Sequence, residues 1–246
     1  MTTHGTPTAH ELGAAIYDTA ASFMLAPPTA AKATELGFPD PLQLYIAGRL
    51  GVLGDTTPEV AAAAHGFLSP AAAAQAWPGV AKVCSRETAT RVFAEACAEY
   101  GEDKLASLPE DEASRLADLA EKIVDDAPAT ALFAAWRAHP RPSSPRARAA
   151  HQLNLLREWR GGVHVAAVSA AGLRPLEAIM SDGGEFYAGA FGWAKPWPAE
   201  GSQSEEMAAI HARVDEACGR VIGEVLTADE AQELVTLARK ACALLP

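Results

Sequence analysis

Cysteine is scarce here and is not spaced for chemistry. The four thiols, Cys84, Cys97, Cys218 and Cys242, form no CxxC pair and no other metal-ligand spacing. Each falls in a helical pattern, where cysteine behaves as a small apolar residue. No secretory leader opens the chain, so a reduced, cytoplasmic setting is expected. Apolar runs are short and none approaches the ~18 residues of a membrane span. HExxH and ExxH are missing, and no GxGxxG opens a helix after a strand. GGEFYAGAFG (183–192) is Gly-rich but lacks the strand–turn–helix setting and the Lys–Ser/Thr of a phosphate loop. No serine sits in a nucleophile elbow. Neither a metal nor an organic cofactor is therefore expected. Positive charge is also in short supply. Lys and Arg number 20 against 31 Asp and Glu, a net of −11. That field repels a polyanion, and every phosphate contact needs a cation. One stretch runs the other way: Arg137 to Arg174 holds seven Arg and one acid, Glu158, a net of +6. It reads as an exposed basic connector.

The remainder, 49% hydrophobic, is rich in alanine and leucine. Apolar residues recur at three- and four-residue steps between Pro and Gly breaks, and no strand signal is convincing. An all-α multi-helix bundle is predicted. Residues 1–9 read as a disordered tail and 10–138 as an N-terminal helical bundle opening with a helix over 10–25. HPRPSSPR (139–146), with three Pro, is the linker. Residues 147–246 form a C-terminal helical part packed on the first as one unit. Thr57-Pro58-Glu59, Ser69-Pro70 and Thr227-Ala228-Asp229-Glu230 are helix starts. Trp77 before Pro78 and the pair Gly161-Gly162 are expected to end helices. Residues 181–204, with several Gly and two Trp, are expected to be irregular.

Most of this chain is chemically silent, but 151–164 packs two His, two Arg, a Glu and a Trp. His151, Asn154 and Glu158 share one helix face, which becomes a site only if it faces the bundle. His164 follows the glycine pair. A His near Glu158 is able to act as a general base, and it also suits a structural hydrogen-bonded core. Tyr45 and Arg49 lie one turn apart in an apolar segment, where an Arg needs an acid, a helix C-terminus or an anionic ligand. Asp55 is the nearby candidate acid. The expectation is that Tyr45, Arg49, His151, Arg157 and Arg160 bind a ligand, with His164 and Glu158 as catalytic candidates, around one cavity. Separate solvent-facing helices are the competing arrangement.

YIAGRLGVLGD (45–55), AAAAHGFLSP (61–70), LFAAWRAHPRP (132–142), LNLLREWRGGVHVAAVSAAGL (153–173) and FGW (191–193) occur in this order. Together they resemble an actinobacterial family of all-helical helix-turn-helix proteins, SalHTH-type, some described as MarR-like regulators. Members carry a pattern like L-R-E-H-R-G-D-G-H. Here Arg157, Glu158, Arg160, Gly161 and His164 match it, while Trp159 and Gly162 replace a His and an Asp. After FGW the family continues with a helix and a hairpin, the reader and wing of a winged helix. Here AKPWPAEGSQ leads straight to the helix from Ser204. The resemblance thus implies a degenerate winged-helix-like segment in the C-terminal half, with the base-reading unit missing.

These readings converge on a small-molecule-binding all-α protein that is not expected to read DNA or meet a membrane. A small organic molecule is the expected partner, and a homodimer is compatible with the sequence. The alternative is a metal-independent enzyme of specialised, natural-product metabolism, using the same pocket for acid–base chemistry.

Overall fold

Helix starts are set by short polar side chains and proline. The hydroxyls of Thr57, Ser69, Ser85, Ser144 and Thr227 each accept the backbone N–H three residues on. Thr227 and Glu230 complete a reciprocal box. The computed structural model describes residues 4–17 and 19–245. Along the chain run α1 (Gly5–Ile16), a 3-10 helix (Thr19–Leu25), α2 (Pro27–Leu36), α3 (Pro41–Gly51), α4 (Pro58–His65) and α5 (Pro70–Val83). Then come α6 (Arg86–Lys104), α7 (Glu110–Asp126), α8 (Ala131–Arg137), α9 (Pro145–Ala170), α10 (Pro175–Asp182) and α11 (Gly184–Ala190). The chain closes with α12 (Ser204–Val225) and α13 (Ala228–Cys242). Among the described residues there is no strand. The fold is an all-α multi-helix bundle.

The organising element is α9, 26 residues long. It packs on α6 and α7 from the first half of the chain and on α12 from the second, with α1 and α8 alongside. Leu153, Leu155, Leu156 and Trp159 are buried in the main core with Phe93, Phe133 and Trp136. The tightest crossing is α1 on α12. A Cβ on Gly5 would fall 1.9 Å from the Gly219 carbonyl oxygen, and one on Gly219 would fall 2.5 Å from Thr6 backbone atoms. Only glycine allows that approach. No single helix is long and apolar enough to cross a membrane. Taken together α9 and α10 reach the composition, but they bend by 117°.

Several expectations are corrected. The tail expected to be disordered is helical from Gly5, because Gly5 and Thr8 pack into the bundle; residues 1–3 lie outside the described residues. The single helix expected over 10–25 is α1 followed by the 3-10 helix. Gly161 and Gly162 do not end a helix, since α9 runs through both. Two interior glycines cost about 1 kcal/mol each, which the packing of this helix outweighs. A Cβ on Gly162 would sit 2.1 Å from Thr130 Oγ1, so close packing there requires glycine. Likewise α5 continues past Pro78, and 181–204 contains α11.

The basic stretch is not an exposed connector either. Arg141 pairs with Glu121 and Asp125, Arg148 with Asp118 and Glu121, and Arg146 with Glu110. Arg157 meets Glu158, Arg160 meets Asp215 and Arg174 meets Glu177. Arg137 donates to the carbonyls of Val124 and Ala127 at the C-terminal end of α7. All seven positive charges are answered inside the fold, mostly by α7.

Candidate functional site

Four of the residues singled out in the sequence meet in one place. Arg49 on α3 donates from Nε and Nη2 to the two oxygens of Glu158 on α9, each at 2.8 Å. Its Nη1 donates to the Tyr45 hydroxyl at 3.0 Å. Arg157 adds a third N–H to Glu158 Oε1 at 3.2 Å. The partner of Arg49 is therefore Glu158, 109 residues away, while Asp55 is exposed and pairs with Arg86. A residue not singled out, His65, completes the network. Its Nδ1 accepts the backbone N–H groups of Phe67 and Leu68. That leaves the proton on Nε2, which lies 3.0 Å from the Tyr45 oxygen and donates to it. Burial, aided by Arg49 and Arg157, holds His65 neutral with its pKa well below the usual range. Burial opposes the charge of Glu158, yet Arg49 outweighs it and the carboxyl titrates below its ordinary value. Arg49 is stabilised as a cation in the same way. Both Glu158 oxygens accept from arginine, and the five side chains form one hydrogen-bonded network.

The other three lie elsewhere. His151 and Asn154 do face the bundle with Glu158, and all three are buried. His151 sits toward His139 and Arg141, and burial first, then its electrostatic interactions with these two, hold its pKa down to about 4. Arg160 lies 2.8 Å from Asp215 on α12, but too poorly aligned for a hydrogen bond. The other Asp215 oxygen meets His10 Nδ1 at 2.9 Å.

His164 lies in the seam between α9 and α12, away from Glu158. Its ring is 5.4 Å from His211 on α12 and 5.6 Å from Phe67. His211 Nε2 is 2.8 Å from Asp182 Oδ2 at the end of α10. The hydrogen bond to Asp182 raises the His211 pKa against a smaller effect of burial. His164 is pushed down to about 4, by burial first and by His211 second. Its Nε2 is buried with no hydrogen-bond partner among the described residues. One imidazole thus has a carboxylate partner for a ring proton, and its neighbour has none.

One stripe further round α9, the seam opens into a groove of about 290 Å³. Pro128, Trp159, Val163, Ala217 and Val221 line it, with Arg220 and Glu224 as its charged members. Trp159 is 3% exposed, and its indole N–H is buried without an acceptor.

With this geometry in view, the comparison with known proteins is informative in one respect. The profile of a helix-turn-helix family matches residues 9–204. The chain belongs to that helix-turn-helix family. No curated protein and no solved structure matches it. The match stops where α12 begins, so His211 and the α12 wall of the groove lie beyond it. Sequence reading missed His211 and Asp182 because they reach His164 from two other helices. For His65 there was a weak signal, a histidine ending α4 just before Gly66.

Proposed function

We propose that this helix-turn-helix family member binds a small organic molecule in the groove between α9 and α12 and does not read duplex DNA. The observation that carries the reading is the groove itself, about 290 Å³ and walled mainly by Pro128, Trp159, Val163, Ala217 and Val221. Its volume falls just under the roughly 300–1,000 Å³ usual for such sites. The case against DNA rests on the internal pairing of all seven Arg of 137–174 and on the net charge of −11. A chain with few unpaired cations displaces few counterions from a duplex, which weakens the electrostatic part of DNA binding. No strand among the described residues provides a wing, and no helix lies between α11 and α12.

Two titrations test this. Fluorescence polarisation with labelled duplexes from the chain's own promoter region, at moderate salt, should show no binding that survives competitor DNA. The fluorescent probe 1-anilinonaphthalene-8-sulfonate should bind the wild type saturably at one site and lose that site in Ala217→Trp, which fills the groove. Sub-micromolar, competitor-resistant DNA binding, or unchanged probe binding in Ala217→Trp, overturns the reading.

A second reading, an enzyme of specialised metabolism working by acid–base chemistry, is favoured by the Asp182–His211 pair. An aspartate that orients a histidine and raises its pKa is a recurring arrangement for moving protons. In this reading His211 takes the role that the sequence suggested for His164 with Glu158.

A further inference from the structure

We propose that His164, Asp182 and His211 form a binding site for one divalent first-row transition-metal ion. The inference is independent of the groove reading, because it uses the neighbouring stripe of the same seam. Each of the three residues offers one ligand atom, and these atoms lie within 4.8 Å of one another. Bonds of about 2.0–2.2 Å to a shared ion place ligand atoms about 3.0–3.5 Å apart. His211 and Asp182, at 2.8 Å, are already that close. His164 has to close the remaining gap, on the order of 1.5 Å, by side-chain rotation.

The chemistry of the set fits. A metal needs a neutral imidazole lone pair, and His164 Nε2 is buried with nothing bonded to it. His211 and Asp182 share a proton, and a dication takes its place with the same two atoms. The charges facing the cluster are Arg160 and Asp215, which lie against each other and largely cancel. The side chains of Asp182 and His211 are 28% and 43% exposed, so the remaining coordination positions face water. Three protein ligands with open positions are the mark of a reactive rather than a structural site. Two histidines and one carboxylate suit Zn²⁺ or Fe²⁺. The ligands come from α9, α10 and α12, separated by 18 and 29 residues, so no local motif announces them.

The test is a titration of the full chain, stripped with chelator, with Co²⁺ followed by visible absorption and with Zn²⁺ by calorimetry. One ion per chain should bind, with proton release on binding and weaker affinity as pH falls and His211 holds its proton. His164→Ala and His211→Ala should each weaken binding roughly 100-fold or more, and Asp182→Asn should also weaken it. Cys84→Ser, a control for the partly exposed thiol, should leave binding unchanged. Circular dichroism checks each fold. Should His164→Ala lose its helical signal, His211→Ala, on the partly exposed side of α12, decides alone. Absence of saturable binding, or unchanged binding in His211→Ala, overturns the proposal.

Discussion

Replacing Glu158 by leucine strands the Arg49 guanidinium in the core. Arg49 and Glu158 are 8% and 3% exposed, so neither finds water. Removing one partner of a buried pair costs about 3–5 kcal/mol, because the other charge stays buried. For a domain of this size each kcal/mol moves Tm by about 2–4 °C. Glu158→Leu should therefore melt about 6–20 °C below the wild type by circular dichroism. Arg49→Met should behave alike. In the double variant both charges leave together, and most of the loss should return, to within about 2 kcal/mol of the wild type. The coupling then appears as a large non-additive term in the double-mutant cycle. pH adds a second signature. The folded pKa of Glu158 is depressed, so its stabilisation is present at neutral pH and lost as pH falls through that value. The gap between wild type and Glu158→Leu should narrow in acid. Singles that melt with the wild type, or a double no better than the singles, would refute the view that this network holds the bundle together.

Three further perturbations have defined signs. Gly219→Ala raises helix propensity by about 1 kcal/mol but drives a Cβ into the Thr6 backbone, so a net loss of about 1–3 kcal/mol is expected; a raised Tm contradicts the α1–α12 contact. Gly162→Asp meets Thr130 and should destabilise by a similar ~1–3 kcal/mol, with Thr130→Gly relieving it; additive losses from the two changes refute the contact. His151 is held neutral with a pKa of about 4, so its unfolded form takes up a proton first. Stability should then be fullest above the ordinary histidine value and fall as pH drops toward 4, by up to roughly 3 kcal/mol from this group. Urea midpoints at neutral and acid pH measure the fall, and His151→Gln should lessen it; an equal fall in that variant refutes the assignment.

The fold was largely legible because local chemistry and packing agree over most of the chain. Thr57, Ser69 and Thr227 mark helix starts by a side-chain bond three residues long, and such bonds need no tertiary context. Reading failed where packing overrules propensity. Gly161 and Gly162 look like a break, yet Thr130 fills the space beside Gly162 and α9 passes through. The face carrying His151, Asn154 and Glu158 was recognisable as a polar stripe, but its burial was not, since burial depends on α6 and α7, distant in sequence, packing against α9. The need of Arg49 for an acid was legible, the identity of that acid was not. The seam cluster was half visible. His164 stood out, whereas Asp182 and His211 are ordinary surface-type residues in sequence, brought together only by the bend into α10 and the return of α12 along α9.

The central claim is that the α9–α12 seam, and not the Arg49–Glu158 network, is the functional centre. One measurement addresses it most directly: titration of 1-anilinonaphthalene-8-sulfonate into the wild type, Ala217→Trp and the Arg49→Met/Glu158→Leu double variant, with folding verified for each. The account predicts saturable one-site binding in the wild type and in the double variant, and its loss in Ala217→Trp alone. Binding that survives in Ala217→Trp and disappears in the folded double variant would contradict it and return the site to the core network.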